Sequence, residues 1–175
     1  PAVQPPPTGT VRTTAEIAAT LWVRRQQANH AVPVAAPLQL PDAVLPLDPY
    51  LLGLWLGDGT TREGAVTSMD PEVFAAFETA GFTLGVVQQQ GGNRSMTRTV
   101  LGLTAILRAV GVLGRKHIPP AYLRASEAQR LALLQGLMDT DGCATATGRV
   151  RFTTTSAALA DDVYELVVSL GTRCH

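Results

Sequence analysis

Several things are scarce in this chain of 175 residues. It has two cysteines, Cys143 and Cys174, and they form no C-x-x-C pair. A disulfide framework is therefore not expected. No run approaches the roughly 18 consecutive apolar residues of a membrane span. No charged-then-apolar signal pattern opens the sequence, so a cytoplasmic setting is the expectation. The chain starts at a proline, which reads as a piece excised from something longer. Net charge is also lacking: 14 basic residues balance 14 acidic ones. That argues against a strong sequence-independent nucleic-acid binder, though not against a local basic face. Lysine is nearly absent, with Lys116 the single example. The arginine excess suits phosphates and guanine edges, or reflects a GC-rich genome.

What is present is one pattern written twice. Leu51-Leu52-Gly53-Leu54-Trp55-Leu56-Gly57-Asp58-Gly59 is matched by Leu134-Gln135-Gly136-Leu137-Met138-Asp139-Thr140-Asp141-Gly142. Each is a helical stretch with small residues four apart, ending in Asp-Gly. Gly53 with Gly57, and Gly136 with Thr140, give each helix a face on which backbones approach closely. Asp58 and Asp141 then fall at helix C-termini, where the dipole disfavours carboxylates. A divalent cation would reverse that sign. A lone Asp-Gly is commonly just a turn; two copies in matching surroundings make the cation corner the sharper reading.

The surroundings do match. Residues 1–12 read as a Pro-rich linker. Thr13 and Glu16 form a capping-box pattern, with Ile17, Leu21 and Trp22 as a helical stripe that fades near Asn29. Val32 to Pro49 is proline-punctuated and extended. Asp48-Pro49 opens the first motif helix. A hairpin is predicted around Gly64, then a helix from Asp70-Pro71 to a stop at Gly81. A second hairpin, Phe82–Gln90 and Arg94–Val100, turns at Gly91-Gly92-Asn93, and a helix spans Leu101–Val112. After a loop to Pro120, Ser126 caps the second motif helix, which carries Leu131, Leu134, Leu137 and Met138. A hairpin follows over Cys143–Thr147, Gly148 and Arg149–Thr155. A Ser156-capped helix then carries Leu159, Val163, Leu166, Val167 and Leu170 to Gly171. This is an internal repeat of helix, hairpin, helix. The first copy continues with another hairpin and helix; the second is expected to lack them.

The motif pair resembles the two LAGLIDADG motifs of an intein homing endonuclease. Asp48-Pro49-Tyr50, Lys116-His117-Ile118-Pro119 and Phe152-Thr153-Thr154-Thr155-Ser156 with Leu159 resemble flanking blocks of that family. Thr13–Pro49 resembles the entry region of inteins in replicative helicases. The resemblance implies an α+β fold of two pseudo-symmetric αββαββα halves, the second truncated. The expected divisions are entry helix and extended segment 13–48, first half 49–120 and second half 121–175. It implies metal-dependent double-strand DNA cleavage. Asp58 and Asp141 would hold Mg²⁺ or Mn²⁺, aided by carbonyls at Gly57 and Thr140, with Lys116 as the pocket lysine. The partners implied are double-stranded DNA, and a splicing domain and host protein in cis; no membrane is expected.

DNA reading is expected from the strands. Alternation sends Val150 and Phe152 toward the helices and Arg149, Arg151 and Thr153 outward. Arg94 and Arg98 share a face, with Gln88 nearby; Arg and Gln suit guanine and adenine edges. Arg62 suits a phosphate. The alternative to each is a solvated sheet face. Leu56 stands where the motif often has an acid. The rival functions are a cleavage-inactive scaffold that binds nucleic acid, and a structural remnant inside an intein.

Overall fold

A computed structural model describes residues 9–23, 27–31, 34–89 and 94–175. The chain divides into two compact units, residues 1–35 and 36–175. The Pro-rich stretch Pro1–Pro7 and the Gly91-Gly92-Asn93 turn lie outside the described residues.

In the first unit, the Thr13–Glu16 capping box forms as expected and opens α1, Thr14–Ala19. The helix is much shorter than its apolar stripe suggested. It buries none of its residues, so packing does not extend it. Thr20 closes it by donating its hydroxyl to the Glu16 carbonyl at 2.7 Å. Trp22–Val23 (β1) and Gln27–Ala28 (β2) then pair antiparallel where helix was expected.

The second unit is α+β and built around two helices. The first, α2, runs Pro49–Asp58; Asp48 caps it by accepting from the Tyr50 and Leu51 amides. Leu51, Leu52, Leu54, Trp55 and Leu56 are all buried, so α2 is enclosed on every side. Next come β3 (Ala65–Ser68), α3 (Pro71–Thr79), β4 (Gln88–Gln89), β5 (Met96–Thr99) and α4 (Leu103–Val110). The short α5 (Pro120–Leu123) leads to α6, Glu127–Asp141, which starts in a Ser126–Gln129 capping box. The strands β6 (Gly142–Ala144) and β7 (Val150–Phe152) form a hairpin, and α7 covers Ala157–Ser169.

Two details depart from expectation. The hairpin around Gly64 shrinks to a single bridge, Gly59 with Val66. The strand β3 instead pairs with β5, giving a sheet of order β3-β5-β4. Gly64 serves a close approach: a Cβ there would meet the Thr104 amide nitrogen at 2.6 Å. Second, Val150 does not face the helices; it is 65 % exposed. It sits at the far end of the β6–β7 ribbon, while Phe152, nearer α6, packs on the core as expected.

Helix α2 lies along α6. Around the pair gather Val66, Phe74, Phe77, Leu103, Leu107 and Ile118 from the first copy. Leu133, Leu137, Leu159, Val163 and Leu166 come from the second. Among the described residues no helix is long and apolar enough to cross a membrane.

Candidate metal and nucleic-acid site

The two motif helices touch through bare backbone. A Cβ on Gly53 would lie 2.8 Å from the Leu137 amide nitrogen, and one on Gly136 would lie 2.9 Å from that of Leu54. A Cβ on Gly57 would collide with the Thr140 side chain. The Thr140 hydroxyl is turned back on its own helix, bonding the Gly136 and Leu137 carbonyls at 3.1 and 3.0 Å. Because Gly53 faces Gly136 and Gly57 faces Thr140, the helices run in matching register. Their last residues, Asp58 and Asp141, therefore emerge at the same end.

Lys116 comes to that end from the loop after α4. Its ammonium donates to the Gly57 carbonyl at 2.8 Å and sits 5.5 Å from the Trp55 ring centroid. Trp55 is itself fixed by donating its indole N–H to the Glu63 carbonyl at 3.1 Å. The titration behaviour follows from this crowding. Burial pushes the Asp58 carboxyl above its ordinary value; a Ser68 hydrogen bond pulls it back, charge on Asp141 raises it and Lys116 lowers it. Burial likewise raises Asp141, against the pull of Lys116. Burial lowers Lys116, while Asp141 and Asp58 hold its proton on. Two carboxylates and one ammonium thus feel one another in a single corner.

A cavity of about 520 Å³ opens beside them, lined by Leu56, Gly57, Thr61, Gly114, Arg115, Lys116, Asp141 and residues 153–156. Its rim is rich in donors. The Ser156 hydroxyl reaches the Lys116 carbonyl at 3.3 Å, and Thr154 accepts from the Ser156 amide at 3.2 Å. Thr153, Thr155 and Arg115 are exposed. No group of three or more His, Cys, Asp or Glu residues placed to hold a metal occurs among the described residues. A two-carboxylate donor set fits a hard cation of the Mg²⁺ kind, which keeps several waters and completes its shell on substrate phosphate. It does not fit zinc, which wants a closed nitrogen or sulfur shell.

The residues expected to read DNA fall into two groups. Arg149, Arg151 and Thr153 are exposed on one face of the β7 segment, and Arg62 is exposed in the turn after α2. Gln88 pairs with Thr97, which pairs with Thr67, so these three share the outer face of the first sheet. The Thr67 and Thr97 hydroxyls bond at 2.7 Å. Arg94 is exposed just before β5. Arg98 is placed otherwise. It is paired with buried Val66, on the helix side of the sheet. There it bonds the Gly85 carbonyl at 3.0 Å, pairs with Glu78 at 3.5 Å and stacks 5.9 Å from the Phe74 centroid. The expectation that Arg94 and Arg98 share an outward face is corrected by that register.

Ser68, Arg115 and the hydrogen-bonding role of Tyr50 are absent from the expected site. Tyr50 donates its hydroxyl to Asp139 at 2.8 Å, across the helix pair. Its phenol is pushed up to about 12, first by burial and then by that carboxylate. Arg115 is the sequence neighbour of Lys116, whereas the Ser68 contact is made through space and leaves no pattern.

A family model for the LAGLIDADG-like domain matches residues 128–173, which span α6, the β6–β7 ribbon and α7. Over those residues the chain is similar to the LAGLIDADG-like domain. It is also 49 % identical over 167 residues to a protein of Mycobacterium intracellulare described as replicative DNA helicase DnaB. That match takes in 94 % of this chain and 26 % of the relative. The chain therefore spans about a quarter of the length of the curated relative it matches. Within the matched residues, Asp141 ends the first helix and Arg149, Arg151 and Thr153 follow on the ribbon.

Proposed function

We propose that this chain is the endonuclease region of an intein within a replicative helicase, and that it breaks both strands of a specific DNA site by metal-dependent phosphodiester hydrolysis. One observation carries the reading: two partly buried carboxylates at the ends of backbone-packed helices share a corner with the chain's single lysine. The match to a helicase over only a quarter of that protein's length supports an insertion in such a host. The partners that follow are double-stranded DNA, and a splicing domain and host segments in cis.

When bound, Mg²⁺ or Mn²⁺ supplies Lewis acidity and a water of lowered pKa. The residues of the chain do the rest. Asp58 and Asp141 hold the cation, and burial makes their negative charge costly until it is met by positive charge. Lys116 offers an ammonium, positioned by the Gly57 carbonyl, to negative charge growing on the phosphate. Arg115, Thr153 and Thr155 present donors at the rim for the flanking backbone. Arg149, Arg151 and Gln88 are left to read base edges, with Arg62 and Arg94 on phosphates. Arg98 is left out of this set because its guanidinium is already engaged.

The test uses the full-length parent protein, DNA carrying the host gene without its insert, and Mg²⁺. The expected result is a double-strand break at one site, lost in Asp58→Asn and in Asp141→Asn while DNA binding remains. Cleavage that survives both substitutions removes the metal assignment. Specific binding with no cleavage by the unaltered protein would leave a DNA-binding scaffold.

A further inference from the structure

Helices that meet through Gly53 and Gly136 come close, but bare backbone offers no ridges to interlock. The Tyr50–Asp139 hydrogen bond crosses that contact directly. The segment just before α2 adds a second tie. Residues 38–47 form neither helix nor strand, yet side chains of α5 and α6 grip their backbone. The buried Tyr122 hydroxyl donates to the Leu47 carbonyl at 2.8 Å and accepts from the Leu47 amide at 3.1 Å. Gln129 donates to the Ala43 carbonyl and accepts from the Ala43 amide, both at 2.8 Å. Each side chain thus pairs with both polar groups of one residue, as a neighbouring strand would. Arg130, fully buried, donates to the Leu38 carbonyl, to the Ala125 carbonyl at 3.0 Å and to the Ser169 carbonyl at 2.7 Å. Leu47 directly precedes the cap of α2, and Gln129 lies in the first turn of α6.

We propose that residues 38–47 act as a clasp that sets the crossing of α2 and α6, with Tyr122 and Gln129 as positioning residues for Asp58 and Asp141 at the far helix ends. The inference rests on the cation reading of that carboxylate pair. The lever is short but sufficient. Asp58 lies five residues beyond Gly53, roughly 7.5 Å at 1.5 Å per residue. A 10° change in crossing would then move its Cα by about 1.3 Å. Metal ligands tolerate displacements of only about 0.2 Å.

The experiment measures Mn²⁺ binding by calorimetry, without DNA, alongside thermal unfolding of the full chain. Tyr122→Phe and Gln129→Met remove the clasp bonds at nearly constant volume. Val163→Ala, a core truncation away from the clasp, serves as the stability control. Both clasp variants should unfold cooperatively and bind Mn²⁺ about tenfold more weakly, the loss typical of outer-shell supports. Val163→Ala should melt earlier yet keep wild-type affinity. Wild-type affinity in folded clasp variants, or an equal loss in Val163→Ala, overturns the clasp and leaves the cation site standing. An unaltered protein that melts cooperatively but binds no Mn²⁺ overturns the cation reading and the clasp with it.

Discussion

The two motif helices carry the same pattern but live in different surroundings. Helix α2 is buried on all sides, with Leu51, Leu52, Leu54, Trp55 and Leu56 inside. Away from α6 it packs against β3 and α3. Helix α6 buries a narrower stripe, Arg130, Leu133, Gly136 and Leu137, and leaves Leu131 46 % exposed. Around α6 stand α5, α7, the β6–β7 ribbon and the 38–47 segment. The shared part is the seam where the helices meet; the unshared part is what each half builds behind it. Pseudo-symmetry is therefore strict at the seam and the carboxylate corner, and loose elsewhere.

Substitutions at the seam should hurt both halves alike. Gly53→Ala and Gly136→Ala each push a methyl into partner backbone, which cannot swing aside as a side chain can. Each should cost about 3 kcal/mol or more, at the upper end of overpacking penalties, in urea unfolding. A large difference between the two would mean the seam is less symmetric than its register. Behind the seam the halves should part company. Leu54→Ala, fully buried in α2, should cost about 3 kcal/mol, whereas Leu131→Ala should stay within about 1 kcal/mol. Equal losses would show that the outer side of α6 is covered in solution.

Much of this was legible because helix ends announce themselves. Thr13, Asp48, Asp70, Ser126 and Ser156 all cap the helices their sequence patterns predicted. The doubled Gly-x-x-x-small spacing likewise told which helices meet, and so why Asp58 and Asp141 emerge together. What stayed hidden depended on pairing across the chain. Nothing local to Ala65–Ser68 says that its partner is β5 rather than the residues before Gly64. That choice of partner decides that Arg98 stands beside Val66, on the helix side. The clasp was hidden for the same reason: Tyr122 and Gln129 look like a core tyrosine and a capping residue until Leu47 and Ala43 lie against them. Helix α1 failed differently, since an apolar stripe predicts length only if something packs on it.

The carboxylate corner offers a comparison within the seam. Both Asp58 and Asp141 have folded-state pKa values raised above the ordinary 3.8, so the folded chain holds their protons more tightly than the unfolded chain does. Stability should then fall as pH rises from about 3.8 through the raised values. Metal-free Asp58→Asn and Asp141→Asn proteins should melt higher than wild type at pH 7, with a shallower decline of Tm between pH 4 and 7. Adding Mg²⁺ should raise wild-type Tm at pH 7 and leave the double variant unmoved. A wild-type Tm that climbs steadily with pH over that range would reverse the sign and remove the strained-carboxylate account.

The smallest effects separate two arginines that look interchangeable in sequence. Arg98 sits against Phe74 and Glu78, partly shielded from water, so Arg98→Ala should cost about 1 kcal/mol through lost packing and pairing. Its influence on DNA affinity should be no larger than that loss of stability explains. Arg151 is exposed on the ribbon, and Arg151→Ala should change stability by no more than about 0.5 kcal/mol. If it contacts a base edge, the loss should appear at one position of the target, about 1–3 kcal/mol in discrimination. If it contacts phosphate, the loss should be uniform across sequences and the salt slope should drop by about one. Measuring both arginines against matched targets at two salt concentrations tells recognition from architecture. An Arg98→Ala protein of normal stability with a reduced salt slope would put Arg98 back on the DNA, and with it an outer face wider than the β3-β5-β4 register allows.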